Sequence, residues 1–279
     1  MFIPVKITSA AIDSLIADGT VNENYATLYE SLARNVRTTL TDELIKQSLI
    51  DGSRLQEEWF PQDIGDFDVF ISYSHQDIKK VKQFSYWLNT HLGLRCFIDS
   101  VFWQYSDKLL KKLDEHYCRY YDSHARKFYY YYNRRNFTTA NIHCMLTMAL
   151  MKMMNKCELV IFIDSDNSLK YHRGQPKTPS PWIYEELEMA NTLPKKLPER
   201  FSLESHRRGI VDESRVIRMF SEGGQMPTFL YKAGVGPFPS LTATMLRNVQ
   251  NQNISGLPSN ISSLNSIYKQ LNPQRRQFL

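Results

Sequence analysis

Three short polar runs stand where apolar runs stop: Ser72-Tyr73-Ser74, Asp99-Ser100 and Asp164-Ser165-Asp166. Hydroxyls beside carboxylates at one rim suit a ribose or an amide better than an apolar ligand. The same residue types also cap helices and close turns, so on composition alone both readings stand. A further carboxylate group lies in "SPWIYEELEMA". There Ser180 is placed to cap a helix whose first position is Pro181, with Ile183, Leu187 and Ala190 as its core stripe. At ~3.6 residues per turn Glu186 lies about 100° from Leu187, at the border of the core. Glu185 is expected to face solvent, and Glu188 is the less convenient border residue. Trp182 and Glu186 are four apart, hence neighbours on the helix surface.

The elements that must position these groups alternate. "DVFIS" reads as a strand, followed by a helix with Val81, Phe84, Leu88 and Leu92 on one stripe and Gly93 at its end. "LRCFIDS" is a second strand. After a long insertion, "NIHCMLTMALMKMMNKC" is apolar almost all round and reads as a buried helix. "ELVIFIDS" is a third strand. Strands alternating with helices argue for a parallel sheet covered on both faces, and such sheets bind ligands beyond the carboxyl ends of their strands.

In that order, "DVFISYSHQD", "LGLRCFIDS", "CELVIFIDS" and "SPWIYEELEMA" resemble the Toll/interleukin-1 receptor (TIR) domain family, over roughly residues 66–193 and more loosely to 250. The resemblance implies an α/β, flavodoxin-like parallel sheet flanked by helices. It is strongest to prokaryotic TIR proteins of antiviral defence, many of which cleave NAD+ to nicotinamide and an ADP-ribose or cyclised product. It implies Glu186 as the catalytic residue, four positions after the tryptophan. Ser72, Tyr73 and Ser74 are then expected to line the NAD+ pocket, with Asp99 and Trp103 on a covering loop and Trp182 packing on a base or ribose. NAD+ is substrate, with no metal and no further cofactor. A homo-oligomer on activation, a phage-derived trigger and a separate effector sensing the product are the implied partners. A non-catalytic TIR adaptor and a nucleoside 2-deoxyribosyltransferase-like enzyme are the alternatives.

Such cleavage needs little from the protein. Positive charge builds on the ribose carbon as in glycoside cleavage, and one carboxylate can stabilise it. Nicotinamide departs neutral, so no strong general acid is required.

Around this middle zone, residues 1–65 are expected to form a helical extension and residues 251–279 a polar tail. Residues 104–140 form an insertion in which tyrosines interleave with Arg119, Arg126, Lys127, Arg134 and Arg135. It is expected to be a β-rich flap whose tyrosines pack on the domain, or a protein contact, rather than a nucleic-acid platform. The last strand and helix are sought in "PTFLYKAGVGPFPSLTATMLRNV". The chain has 279 residues, 42% hydrophobic and 23% charged, with net charge +5, as an ordinary globular protein does. No run reaches membrane-spanning length, the start is a poor signal peptide, and Cys96, Cys118, Cys144 and Cys157 lack metal spacing. A cytoplasmic protein with buried free thiols is expected. Walker, G-x-S-x-G, G-x-G-x-x-G and H-E-x-x-H motifs are absent.

Overall fold

The computed structural model describes residues 3–17, 50–60, 66–198, 200, 229–252 and 259–271. The elements run β1 (Ile3–Thr8), α1 (Ser9–Ile16), α2 (Gly52–Trp59), β2 (Val69–Ser72), α3 (Ile78–Leu92) and β3 (Cys96–Ile98). Then come α4 (Ser100–Leu113), β4 (Arg119–Asp122), β5 (Lys127–Tyr130), α5 (Tyr132–Lys156) and β6 (Leu159–Asp164). The chain continues through β7 (Lys170–His172), β8 (Gln175–Thr178), α6 (Pro181–Thr192), β9 (Tyr231–Lys232), α7 (Ala243–Gln252) and α8 (Asn260–Leu271).

The central sheet is parallel, in the order β1-β6-β2-β3. It is an α/β sheet flanked by helices and compatible with the flavodoxin-like class. From β2 the chain goes to β3 on one side, then crosses back to β6 on the other. The carboxyl end of β2 is therefore the point where the strand order reverses, the place where such sheets bind ligands.

Strand alternation divides the interior. Phe70, Phe97, Val160 and Phe162 face one side and pack under α2, α4, α5 and α6. Val5, Ile7, Val69, Ile71, Cys96, Ile98, Leu159, Ile161 and Ile163 face the other and pack under α1, α3, α7 and α8. Gly93 ends α3 at φ 68, a left-handed position where a side chain is unfavourable. β7, β8 and β9 form a small antiparallel sheet beside α6.

Several expectations change. Residues 3–8 are not helical. They form the edge strand beside β6, because Val5 and Ile7 are apolar on the α1 face and fully enclosed. Past β1, Lys6 exchanges backbone hydrogen bonds with Pro239 (2.9 Å) and Leu241 (2.8 Å), making a single parallel bridge at Ser240 before α7, while the short strand β9 in the stretch where the last strand was sought pairs with β8 instead. Residues 18–49 and 61–65 of the expected helical extension lie outside the described residues. The polar tail contains α8, held in the core by Leu264, Ile267 and Tyr268 and tied to Asp68 by Asn260 at 2.8 Å.

The insertion is mostly helix, with a two-stranded ribbon, β4–β5, at its tip, and the ribbon's tyrosines are exposed rather than packed. α5 begins at Tyr132, earlier than expected, and buries only one stripe. Cys144 on its outer side is accordingly exposed, while Cys96, Cys118 and Cys157 are buried. Burial pushes the Cys96 thiol up to about 12, an inert state. Among the described residues no helix is long and apolar enough to cross a membrane, and no group of three or more His, Cys, Asp or Glu is placed to hold a metal ion.

Candidate functional site

The site is built by parity. If Phe70 faces the α6 side, so does Ser72 two residues on, and Phe97 carries Asp99 to the same side. Both lie at carboxyl ends of adjacent strands, since Phe70 pairs with Phe97 in register. Opposite them, α6 starts as the sequence indicates. Ser180 Oγ accepts from Ile183 N at 3.3 Å, and Pro181 needs no donor in the first turn. Ile183, Leu187 and Ala190 then seat the helix on the sheet and carry Glu186 inward with them.

Glu186 is 2% exposed and Asp99 3%. The Ser72 hydroxyl donates to Glu186 Oε2 at 2.5 Å in a buried environment. The other oxygen, Oε1, is buried and has no donor among the described residues. Burial pushes the Glu186 carboxyl well above its ordinary range. The negative charge of Asp99 and a hydrogen bond with its side chain push the same way, and the Ser72 hydroxyl pulls back. Two enclosed carboxyls at one place favour holding a single proton between them. Asp99 precedes the first residue of α4 yet makes no side-chain capping bond to that helix. Its side chain serves the carboxyl pair, not the helix end.

The other polar groups at the rim do structural work. Asp77 accepts from Ser165 Oγ at 2.5 Å and from Asn167 Nδ2 at 2.7 Å. Ser168 Oγ in turn accepts from Ser165 N (2.9 Å) and donates to Ile163 O (2.8 Å). This latch joins the loops after β2 and β6. Sequence reasoning did not identify it, although Ser165 lies in a polar run it singled out and Asp77 closes the segment "DVFISYSHQD". Asp164 is half-buried, and its carboxyl is raised by burial against the opposing pull of Lys6.

Of the other candidates, Tyr73 falls on the opposite face. It is buried with Ile71 in the α3 core and lies parallel to His75 at 6.1 Å, so it does not line a pocket at Glu186. Ser74 is half-buried, and its carbonyl accepts from Asp77 N at 2.7 Å. Trp182 sits one turn before Glu186, half-buried, with its ring edge-on to His143 at 4.9 Å, a packing role. Trp103 is in the first turn of α4, and its side chain lies outside the described residues. Glu185 is not a solvent residue: it is half-buried and accepts from Thr147 Oγ1 at 3.1 Å.

Searches for a matching family model, a characterised relative and a similar solved structure return no match for this chain.

Proposed function

We propose that the protein cleaves the N-glycosidic bond of NAD+, as a TIR-type nucleosidase or ADP-ribosyl cyclase. The reading is carried by one observation: Glu186, hydrogen-bonded to Ser72 and beside Asp99, is enclosed at the point where the strand order of a parallel sheet reverses. Ordered sequence motifs resembling TIR domains support it from an independent direction.

A buried pair of carboxyls costs stability, and a pure scaffold gains nothing from it. A nicotinamide nucleotide does. Its positively charged ring favours loss of the proton shared by Glu186 and Asp99. The C–N bond then breaks, its electron pair leaving with neutral nicotinamide. The ionised Glu186 stabilises the cationic ribose carbon. Water, or a nitrogen of the adenine for a cyclic product, adds to that carbon and loses its proton to solvent.

The described state encloses Glu186, so ligand admission requires the groups around it, Asp99 among them, to move apart. Assembly of several copies, driven by an infection-derived trigger, is the event we assign to that opening. The product signals to a separate effector. The test is incubation of concentrated full-length protein with NAD+, and separately with pairs of deoxynucleosides and free bases, with products identified by mass spectrometry. Nicotinamide release that depends on Glu186 supports the proposal. Base exchange on deoxynucleosides with NAD+ untouched would replace it with a deoxyribosyltransferase.

A further inference from the structure

The β4–β5 ribbon is an isolated two-stranded sheet, with its aromatic side chains in water. Register pairs Tyr120 with Tyr129 and Tyr121 with Phe128. Alternation sends the first pair to one face and the second to the other, and all four rings are exposed, Phe128 by 57%. A two-stranded hairpin alone is marginal in water, and exposed apolar patches of this kind mark interaction surfaces.

Local hydrogen bonds pin the ribbon's turn and its foot. Asp122 Oδ1 accepts from His124 N (2.8 Å) and Ala125 N (3.0 Å), and Arg126 at the tip sits at φ 51, a left-handed conformation unfavourable for arginine. At its foot, Asp114 accepts from Arg135 Nε (2.9 Å) and Thr138 Oγ1 (2.7 Å).

Charge selects the occupant. Residues 119–135 carry five basic side chains (Arg119, Arg126, Lys127, Arg134, Arg135) against one acidic, Asp122. That opposes a symmetric contact with a second copy and favours an acidic partner. Nucleic acid fits less well, because an arginine already lies on one face of Phe128, Tyr130 and Tyr131. Arg119 lies over Phe128 (4.3 Å), Arg134 over Tyr131 (4.7 Å) and Arg135 over Tyr130 (5.1 Å), while Tyr120 stacks on Tyr131 at 4.4 Å. A guanidinium spread on a ring can still present N–H groups to a carboxylate; Arg134 and Arg135 each already give one, to Tyr117 O and Asp114.

The second feature is a cavity of ≈ 640 Å³ at the ribbon's foot, between α2, the end of α4 and α5. Leu55, Leu113 and Ile142 form its apolar floor and Arg134 and Phe137 stand in its wall. Phe137 is 72% exposed. Arg134 donates to Tyr117 O at 3.0 Å while covering Tyr131, so cavity and ribbon form one continuous surface. An apolar cavity beside a basic, aromatic ribbon has the layout of a protein hot spot, a pocket for a buried anchor flanked by charge.

We propose that the ribbon and this cavity are a docking surface for an acidic protein segment, whose carboxylates meet the ribbon arginines while an aromatic or branched side chain fills the cavity. The test uses full-length protein and a pool of fluorescent dodecapeptides, each with one Leu, Phe or Trp flanked by Asp and Glu. The controls are the same peptides with Lys in place of the acids, and oligo(dT). Anisotropy is read at low and physiological salt. Acidic peptides should bind, more weakly as salt rises, and the Lys series should not. Affinity should fall at least tenfold both in Arg119→Glu/Arg126→Glu and in the cavity-filling Asn141→Trp. Circular dichroism verifies folding, and Tyr121→Ser replaces either variant if it fails to fold. The proposal is overturned if no acidic peptide binds, if binding is equal in folded variants, if oligo(dT) is preferred, or if sedimentation shows the ribbon joining two copies of the chain.

Discussion

Ser72 and Glu186 are 114 residues apart in sequence, yet the Ser72 hydroxyl donates to Glu186 Oε2 at 2.5 Å inside the protein. That bond favours the ionised carboxylate, against burial and Asp99. Ser72→Ala removes it. The expected result is a fall in kcat/KM for NAD+ of about 10- to 100-fold, matching the ~1.5–3 kcal/mol of a hydrogen bond to a charged group. The rising limb of the pH–rate profile should also move to higher pH.

Asp99→Asn should move that limb the other way. The substitution removes the negative charge that raises the Glu186 carboxyl, so ionisation becomes easier. Opposite displacements in two variants separate electrostatic tuning from loss of structure. Because both residues act on one carboxyl, the double variant should be non-additive.

Stability should carry the same signature. A carboxyl raised in the folded state binds its proton more tightly there than in the unfolded chain. Its contribution is complete below the ordinary carboxyl pKa of about 4.3 and is lost as pH rises through the folded value. Glu186→Gln cannot ionise. Its melting temperature should gain on wild type steadily as pH goes from about 4 to 8, each unit of raised pKa being worth about 1.4 kcal/mol. Parallel curves would show that Glu186 is not raised.

The latch between loops gives a separate expectation. Asp77→Ala leaves Ser165 and Asn167 without their acceptor. Urea unfolding should show a loss of about 1–3 kcal/mol, and amide exchange should quicken at residues 165–169.

Ile7→Ala tests the sheet itself. Ile7 is enclosed in β1, so the substitution should cost about 2–5 kcal/mol. A residue in a dispensable extension would cost next to nothing.

That contrast shows what the sequence could convey. Strands β2, β3 and β6 were legible because each is an apolar run ending in polar residues. The border position of Glu186 followed from its angle to Leu187, whereas its full enclosure did not. Which of Ser72 and Tyr73 would face α6 was not legible, because alternation fixes that they differ but not which face belongs to which helix. β1 was hidden because "IPVKIT" is short, contains Pro4 and gains its identity only by pairing with β6. α8 was hidden because "NISSLNSIYKQL" is rich in poor helix formers. Its helix rests on burying Leu264, Ile267 and Tyr268, a tertiary contribution that local propensity does not report.

The most direct test of the central claim is nicotinamide release from NAD+, followed over time with concentrated full-length protein and its Glu186→Gln variant. The account predicts release by wild type and a rate at least a hundredfold lower in the variant, which keeps the shape of the side chain and loses only its charge. Equal rates in the two proteins, or no release by wild type at any concentration at which it assembles, would contradict it.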